Sequence, residues 1–287
     1  MSPRPHASRA FVVVGPAGDF DMADFINNPR PITLAAGGQA ALAQADLPAG
    51  VLQALELIRD VEQAALDWLR DLLITPTHAD AEVTAFLTTW AYEKYWLADL
   101  LGRVLADHPP PEAPGPGLRA RLAEQAHERL FPTLAAIGTN LQGPRVIAGQ
   151  LATGLADTFA LRVMTIRLAE LVPALDDLTR SVLHSTERHV AFYTEQIHRR
   201  AGTNAPARRS LHRALRGWRW PGSRYAEPRR IGAILRYVLG HPEARPLLAQ
   251  ADTALSALPG GPRRAVLRTE FARFVVHGTN RWQLRVQ

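Results

Sequence analysis

Four titratable residues lie on or beside the apolar faces of helical segments and carry the strongest chemical signal: Glu62, Glu93, Lys94 and His189. A carboxyl group buried among apolar side chains has a raised pKa, which suits it to general acid–base catalysis. Lys94 is the only lysine in the chain, and a buried Lys94 would form an ion pair with Glu62. The alternatives are a partly exposed carboxylate at Glu62, an exposed lysine on the helix flank, and a hydrogen-bonded core histidine at His189.

Long helical segments must position these residues. Apolar residues recur at three- and four-residue spacing, which is typical of helices that bury one face. The pattern predicts four long helices at 49–74, 80–106, 144–171 and 174–200, a further helix at 118–137, and short helices at 229–239, 243–258 and 261–276. The order of the long helices is pair, long crossover, pair, and it matches a four-helix bundle with one long connection.

Composition excludes several classes of site. The chain has no cysteine, which excludes disulfides, thiolate metal sites and cysteine nucleophiles. No apolar run approaches the roughly 18 residues needed to span a bilayer, and the first residues lack a signal-peptide core. We therefore expect a cytoplasmic protein.

Three stretches resemble the ferritin-like acyl-carrier-protein desaturase family, over roughly residues 50–240. Residues 90–97 (WAYEKYWL) are similar to its second-helix Glu-x-x-His segment. Residues 150–153 (QLAT) resemble its Glu-Arg-Ala-Thr segment on helix three, and residues 185–193 (STERHVAFY) its Asp-Glu-x-Arg-His segment on helix four. The resemblance implies a bundle whose centre binds two irons through carboxylates and histidines.

The resemblance also implies which positions would hold iron, and most of them do not carry ligands here. Glu62 and His189 match the family pattern. The other positions read Lys94, Leu97, Gln150 and Thr186. A lysine in the cluster repels cations unless it is deprotonated, so we predict no metal cofactor. If two iron ions are bound instead, the ligands would be a shifted set: Glu62, Glu93, Asp157, Glu187 and His189.

Together these patterns predict an all-α protein in three parts: an extended N-terminal arm at 1–48, a ferritin-like four-helix bundle at 49–201, and a basic connection with C-terminal capping helices at 202–287. A hydrophobic substrate pocket between the bundle helices would be lined by Trp90, Leu97, Gln150, Thr186 and Tyr193. The alternative for these residues is ordinary core packing.

Positive charge is concentrated between positions 199 and 230, where ten arginines accompany one acid. The candidate partner-binding residues are Arg208, Arg209, Arg213, Arg216 and Arg219. Arginine binds phosphate and carboxylate well, so the partners considered are an acyl carrier protein and a coenzyme A thioester. Nucleic acid ranks last because no helix-turn-helix or zinc pattern accompanies the charge. The alternative is a solvated basic connection.

Three functions follow from these observations. The leading hypothesis is a desaturase-related enzyme of specialised metabolism that acts on a hydrophobic small molecule or acyl chain. It would use metal-independent acid–base chemistry, such as isomerisation, cyclisation or dehydration, with Glu62, Glu93, Lys94 and His189 as its polar centre. The second is a di-iron oxidase or desaturase with the shifted ligands. The third is a non-catalytic protein that binds a lipid or a carrier protein. The oligomeric state, including a homodimer, stays open.

Overall fold

The computed structural model describes residues 20–35, 37–65, 69, 80–108, 145–223 and 226–279. This part of the chain contains α-helices and no strand, which confirms the predicted all-α class. The helices are α1 (Met22–Asn27), α2 (Gly38–Ala43), α3 (Ala49–Gln63), α4 (Ala81–Asp107), α5 (Arg145–Leu171), α6 (Asp176–Ala201), α7 (Ala205–Gly217), α8 (Pro228–Leu239), α9 (Ala244–Ser256) and α10 (Leu267–Thr279). Within these residues no helix combines the length and the apolarity needed to cross a membrane.

The bounds of the long helices follow local signals. Helix α4 begins where the Asp80 side chain accepts a hydrogen bond from the Val83 N–H at 3.1 Å, as an N-cap does. A short 3-10 turn at Pro173–Leu175 separates α5 from α6. The predicted long helices therefore agree with α4, α5 and α6 to within two residues. Most of the predicted helix beyond α3, the Pro-rich linker and the helix at 118–137 lie outside the described residues.

Helices α5 and α6 pack as an antiparallel pair. The Arg162 Nε donates to Thr186 Oγ1 at 2.8 Å, and Thr179 Oγ1 donates to the Thr165 carbonyl at 2.9 Å. Residues later in α5 contact residues earlier in α6. This is the register of antiparallel helices joined by a short turn. Helix α3 packs closely on α4, so the long helices form two pairs.

The segment before α3 is part of the core, which corrects the predicted extended arm. Two short helices lie within residues 20–48, and Phe25 is fully buried. Phe20 and Phe25 pack against a stack of Phe86 on Phe192, whose ring centroids are 3.8 Å apart. Aromatic burial of this size outweighs the weak local helix propensity of a Pro- and Gly-rich segment. Residues 1–19 lie outside the described part.

The basic stretch after α6, which was predicted as a connection, contains the helix α7. Asn204 caps α7 by accepting from the Ala207 N–H, and a proline occupies the first turn. Ala207, Leu211 and Leu215 recur every four residues and are buried, while most of the arginines face solvent. The apolar face of α7 packs against α5. The high arginine content concealed a period that is ordinary for an amphipathic helix.

The last three helices pack against one another and, through α8 and α9, against the long helices. Helix α8 contacts α3, α9 contacts α5, and α10 contacts both α8 and α9. The buried carboxylate of Asp252 accepts hydrogen bonds from the Val266 and Leu267 N–H groups, each at 2.7 Å. These N–H groups have no hydrogen-bond partner within helix α10, and Asp252 supplies one. The negative charge of Asp252 also lies at the positive end of the helix dipole, which stabilises the helix.

The docking of α7 can be measured through Leu211. Leu211→Ala should lower the free energy of unfolding by about 2–5 kcal/mol, because it removes fully buried apolar contacts and leaves a cavity between α7 and α5. Chemical denaturation measures this. The exposed Arg209 on the same helix provides the control, since Arg209→Ala should change stability by no more than about 0.5 kcal/mol. Equal effects of the two substitutions would contradict this packing of α7.

Candidate active site

A cavity of about 410 Å³ lies between α3, α4, α5, α7 and the segment that follows α7. Its walls are mainly apolar, with a small number of polar groups, as is typical of small-molecule sites. The apolar part includes Leu57, Ile58, Val61, Trp90, Leu161, Met164 and Trp220, and the polar part Glu62, Lys94, Asp157, Thr158, Arg213 and Arg219.

The segment after α7 forms one wall of this cavity through a tight turn. The Ser223 N–H donates to the Trp220 carbonyl at 3.0 Å, with Pro221 and Gly222 between them. Gly222 has a φ of +88°, so Pro-Gly occupies the two central positions of a type II turn. The turn brings Gly222 against the side of α3 that carries Leu57 and Val61.

Glu62 and Lys94 form a buried ion pair in the cavity wall. Lys94 Nζ lies 2.9 Å from Oε1 and 2.7 Å from Oε2 of Glu62, and the two side chains are only 10% and 3% exposed. Lys94 also lies over the Trp90 ring, with Nζ 5.6 Å from its centroid. Of the alternatives predicted from the sequence, the buried one is therefore observed for both Glu62 and Lys94. Glu62 extends the apolar stripe of α3, and Lys94 follows one turn after Trp90 on α4.

The electrostatics of the pair suit proton transfer. Burial raises the pKa of Glu62 above its ordinary 4.5, and the attraction of Lys94 only partly offsets this. A carboxyl group in this state exchanges its proton closer to neutral pH than an exposed glutamate does. The adjacent ammonium group supplies a positive charge to stabilise an anion that forms beside it.

Two further polar groups approach the same wall. The Trp218 Nε1 donates to Asp157 Oδ1 at 2.7 Å. Tyr193 lies behind Gly154, where an added Cβ would be only 2.9 Å from the tyrosine hydroxyl. That hydroxyl is buried and has no hydrogen-bond partner among the described residues. Burial and the charges of Asp157 and Glu62 raise the pKa of Tyr193 well above its ordinary value, so it stays a neutral donor.

Glu93 and His189 belong to a separate polar cluster. His189 Nε2 lies 2.7 Å from Oε2 of Glu93, and Arg188 Nη2 donates to Oε1 at 2.7 Å. The Arg30 N–H donates to the same carboxylate at 2.6 Å, and Ser185 Oγ at 3.2 Å. Glu93 therefore holds the segment before α3 against α6, and neither Glu93 nor His189 lines the cavity.

The ionisation of this second cluster is set by its hydrogen bonds. Burial alone would raise the pKa of Glu93, but the bonds from His189 and Arg30 and the charge of Arg188 lower it. Burial lowers the pKa of His189 despite its bond to Glu93. His189 is consequently a neutral ring whose Nε2–H donates to an ionised carboxylate.

The predicted single polar centre is thus divided in two. Successive residues of an α-helix point about 100° apart, so Glu93 and Lys94 cannot face the same side of α4. Lys94 faces the cavity with Glu62, whereas Glu93 faces His189. The sequence-based grouping of all four was wrong because it allowed either residue to reach one centre.

The predicted pocket residues also lie partly inside and partly outside the cavity lining. Trp90 lines the cavity, whereas Leu97 and Tyr193 are buried outside its lining and Gln150 is half-buried outside it. Thr186 accepts a hydrogen bond from Arg162, a buried arginine that the sequence analysis did not single out. Burial lowers the pKa of Arg162 to about 10. Its position inside the apolar run of residues 159–164 is the sequence signal that could have identified it.

The predicted partner-binding arginines also divide into groups. Arg208 donates from Nε to the Ala201 carbonyl at 2.8 Å, so it closes the turn between α6 and α7. Arg209 and Arg216 are exposed on α7. Arg213 and Arg219 line the cavity, which the sequence analysis did not predict because it treated the basic segment as a separate surface.

The residues present do not fit the two-iron centre that the family resemblance implies. Glu62 is paired with Lys94, Glu93 is bound by His189 and Arg188, and Glu187 is exposed. Among the described residues, no group of three or more histidine, aspartate or glutamate side chains is placed to share a metal ion. The alternative ligand set is therefore not brought together, because its carboxylates are engaged by the cations and donors of the chain itself.

The strength of the Glu62–Lys94 pair can be tested by removing one partner. Lys94→Met leaves a buried carboxyl group without its counter-charge and should lower the free energy of unfolding by about 3–5 kcal/mol at pH 7. The folded chain then holds the Glu62 proton more tightly than the unfolded chain does. Stability is therefore lost progressively as the pH rises above the ordinary value of 4.5.

Urea denaturation between pH 4 and pH 8 measures this dependence. Adding Glu62→Gln to Lys94→Met should restore most of the stability at pH 7, because no charge is then buried alone. Arg103→Met, at an exposed position of the same helix, is the control for loss of a positive charge. A loss of stability that does not depend on pH would contradict a buried, ionisable Glu62.

No protein-family model, curated protein or solved structure matches this chain. The desaturase-like resemblance therefore rests on the three sequence stretches described above.

Proposed function

We propose that this chain is an enzyme that acts on a hydrophobic small molecule or acyl chain by metal-independent acid–base chemistry. The bundle would be ferritin-like and related to the desaturases, with the cavity as its substrate site. One observation carries the proposal, namely the Glu62–Lys94 pair in the wall of a mainly apolar cavity. A buried acid with a raised pKa in a cleft is more common at functional sites than elsewhere.

The geometry suggests a role for each polar group. Glu62 would remove a proton from the substrate and return it at another atom, as isomerisation, cyclisation and dehydration each require. Lys94, held 2.7 Å from Glu62, would donate hydrogen bonds to the negative charge that develops on the substrate. Glu93 and His189 lie outside the cavity lining and would position α6 and the segment before α3 rather than touch the substrate. A cytoplasmic location and delivery as a carrier-protein or coenzyme A thioester remain part of this proposal.

Non-catalytic binding is the second candidate, and one observation favours it. Each charge of the pair already has a partner within the protein, as a purely structural ion pair would. A lipid would then occupy the cavity without being changed. The two candidates differ in whether Glu62 exchanges protons with the bound molecule.

Proton exchange with solvent tests the enzyme proposal directly. The chain would be incubated in D₂O with a panel of medium-chain acids, enoic acids, hydroxy acids and their coenzyme A thioesters, and deuterium incorporation measured by mass spectrometry. Incorporation should fall by ~100-fold or more in Glu62→Gln, because a general base typically contributes about 10²–10⁴-fold. Glu56→Gln, at a half-buried position of the same helix outside the cavity lining, should retain full activity. Binding of a panel member with no wild-type incorporation would favour the second candidate.

Iron content separates this proposal from a di-iron oxidase. Chain purified from cells supplied with iron should contain well under one iron per chain, because Lys94 and Arg188 occupy the carboxylates that iron would need. Elemental analysis by mass spectrometry gives the ratio. Lys94→Met should not raise it, since Glu187 is exposed and Asp157 is bound to Trp218. About two irons per chain would overturn the proposed chemistry.

A further inference from the structure

The two arginines of the cavity lining differ in exposure from the other charged residues there. The Arg219 side chain is 50% exposed and Arg213 is also exposed, whereas Lys94 and Glu62 are 10% and 3% exposed. Arg213 and Arg219 therefore mark the mouth of the cavity, and the ion pair marks its inner end. The positive charge at the mouth comes from α7 and the residue two positions beyond its end.

Within the described residues, neither acid of the cavity lining forms an ion pair with Arg213 or Arg219. Glu62 is paired with Lys94, and Asp157 accepts a hydrogen bond from Trp218. Arg213 has no hydrogen-bond or ion-pair partner within the described part of the chain. Arg219 reaches the buried Glu270 at 3.6 Å and donates from Nη1 to the Trp218 carbonyl at 3.0 Å, while half of its side chain stays exposed. Arg213 is therefore the cation at the mouth that is free to bind an anion, and Arg219 adds positive charge beside it.

We propose that the ligand of this cavity is an apolar chain that ends in an anion, either a carboxylate or a phosphate, bound at the mouth by Arg213 and Arg219. The inference rests on the proposed use of the cavity as the substrate site, and it adds the orientation and chemical class of the substrate. The guanidinium groups bind the anion through charge-assisted hydrogen bonds, for which arginine has suitable planar geometry. The apolar chain extends inward between Leu161, Met164 and Trp220 toward Glu62.

This orientation explains the distribution of polar groups along the cavity. At the inner end Lys94 is already paired with Glu62, so an anion bound there would lie against a carboxylate whose counter-charge is engaged. An anion at the mouth meets Arg213, which has no partner among the described residues. The reacting part of the ligand is then the section several carbons from the anionic end, next to the Glu62–Lys94 pair.

Isothermal titration calorimetry with ten-carbon probes tests the proposal. Decanoate and decyl phosphate carry the two anions, and 1-decanol has the same chain without charge. Both anions, or one of them, should bind at least ~10-fold more tightly than the alcohol, since a hydrogen bond to a charged group contributes this much. The stronger of the two anionic probes identifies the end group.

Variants locate the charge that is responsible. Arg213→Met should weaken binding of the anionic probe by ~10-fold and leave binding of 1-decanol unchanged. Arg209→Met is the matched control, because Arg209 is also exposed and without a partner on α7 in the described residues but lies outside the lining. Its affinity for the anion should equal that of the wild type.

Three results would overturn the inference: equal binding of decanol and the anions, equal losses in Arg209→Met and Arg213→Met, or no binding of any probe. The binding measurement does not require turnover. Anion binding that depends on Arg213, together with no deuterium incorporation, would support this inference while the proposed chemistry fails. Deuterium incorporation that depends on Glu62, together with equally tight binding of decanol and the anions, would support the proposed chemistry while this inference fails.

Discussion

An ammonium group and a carboxylate that have been removed from water hold each other in place only while both are present. Glu62 comes from α3 and Lys94 from α4, so their pair ties two helices together in the wall of the cavity. The pair is also costly to separate, because either charge left alone inside the protein is strongly unfavourable. The fold therefore keeps a buried acid in a fixed position through a side-chain cation.

The rest of the described interior follows the same rule, since each charge buried there has a partner from another part of the chain. Glu93 is held by groups from α6 and from the segment before α3. Arg162 is held by Thr186 and by the Leu183 carbonyl, to which Nη2 donates at 2.9 Å. Where the resembling family would use carboxylates and histidines to hold two cations from solution, this chain provides its own cations as side chains.

Helix positions could be predicted from the sequence because the apolar period is local. The three long helices α4, α5 and α6 were predicted to within two residues for this reason. The side of the helix that a polar residue beside this apolar stripe faces is not a local property. That orientation determines which residues form the site. Whether Glu93 or Lys94 faces Glu62 depends on the rotation of α4, which is set by packing of residues such as Phe86 and Leu97. The role of α7 was not predicted because its high arginine content obscured the apolar period of Ala207, Leu211 and Leu215.

The cavity takes its walls from four stretches that are far apart in the sequence, and this has a thermodynamic consequence. No two adjacent helices enclose it, so it exists only when α3, α4, α5 and α7 have all assembled. Any molecule that binds there binds the complete fold and not its parts. By mass action such a molecule shifts the folding equilibrium toward the native state, by about 2.7 kcal/mol at 100 times its dissociation constant. An abundant ligand in the cell would thus increase the fraction of this chain that is folded.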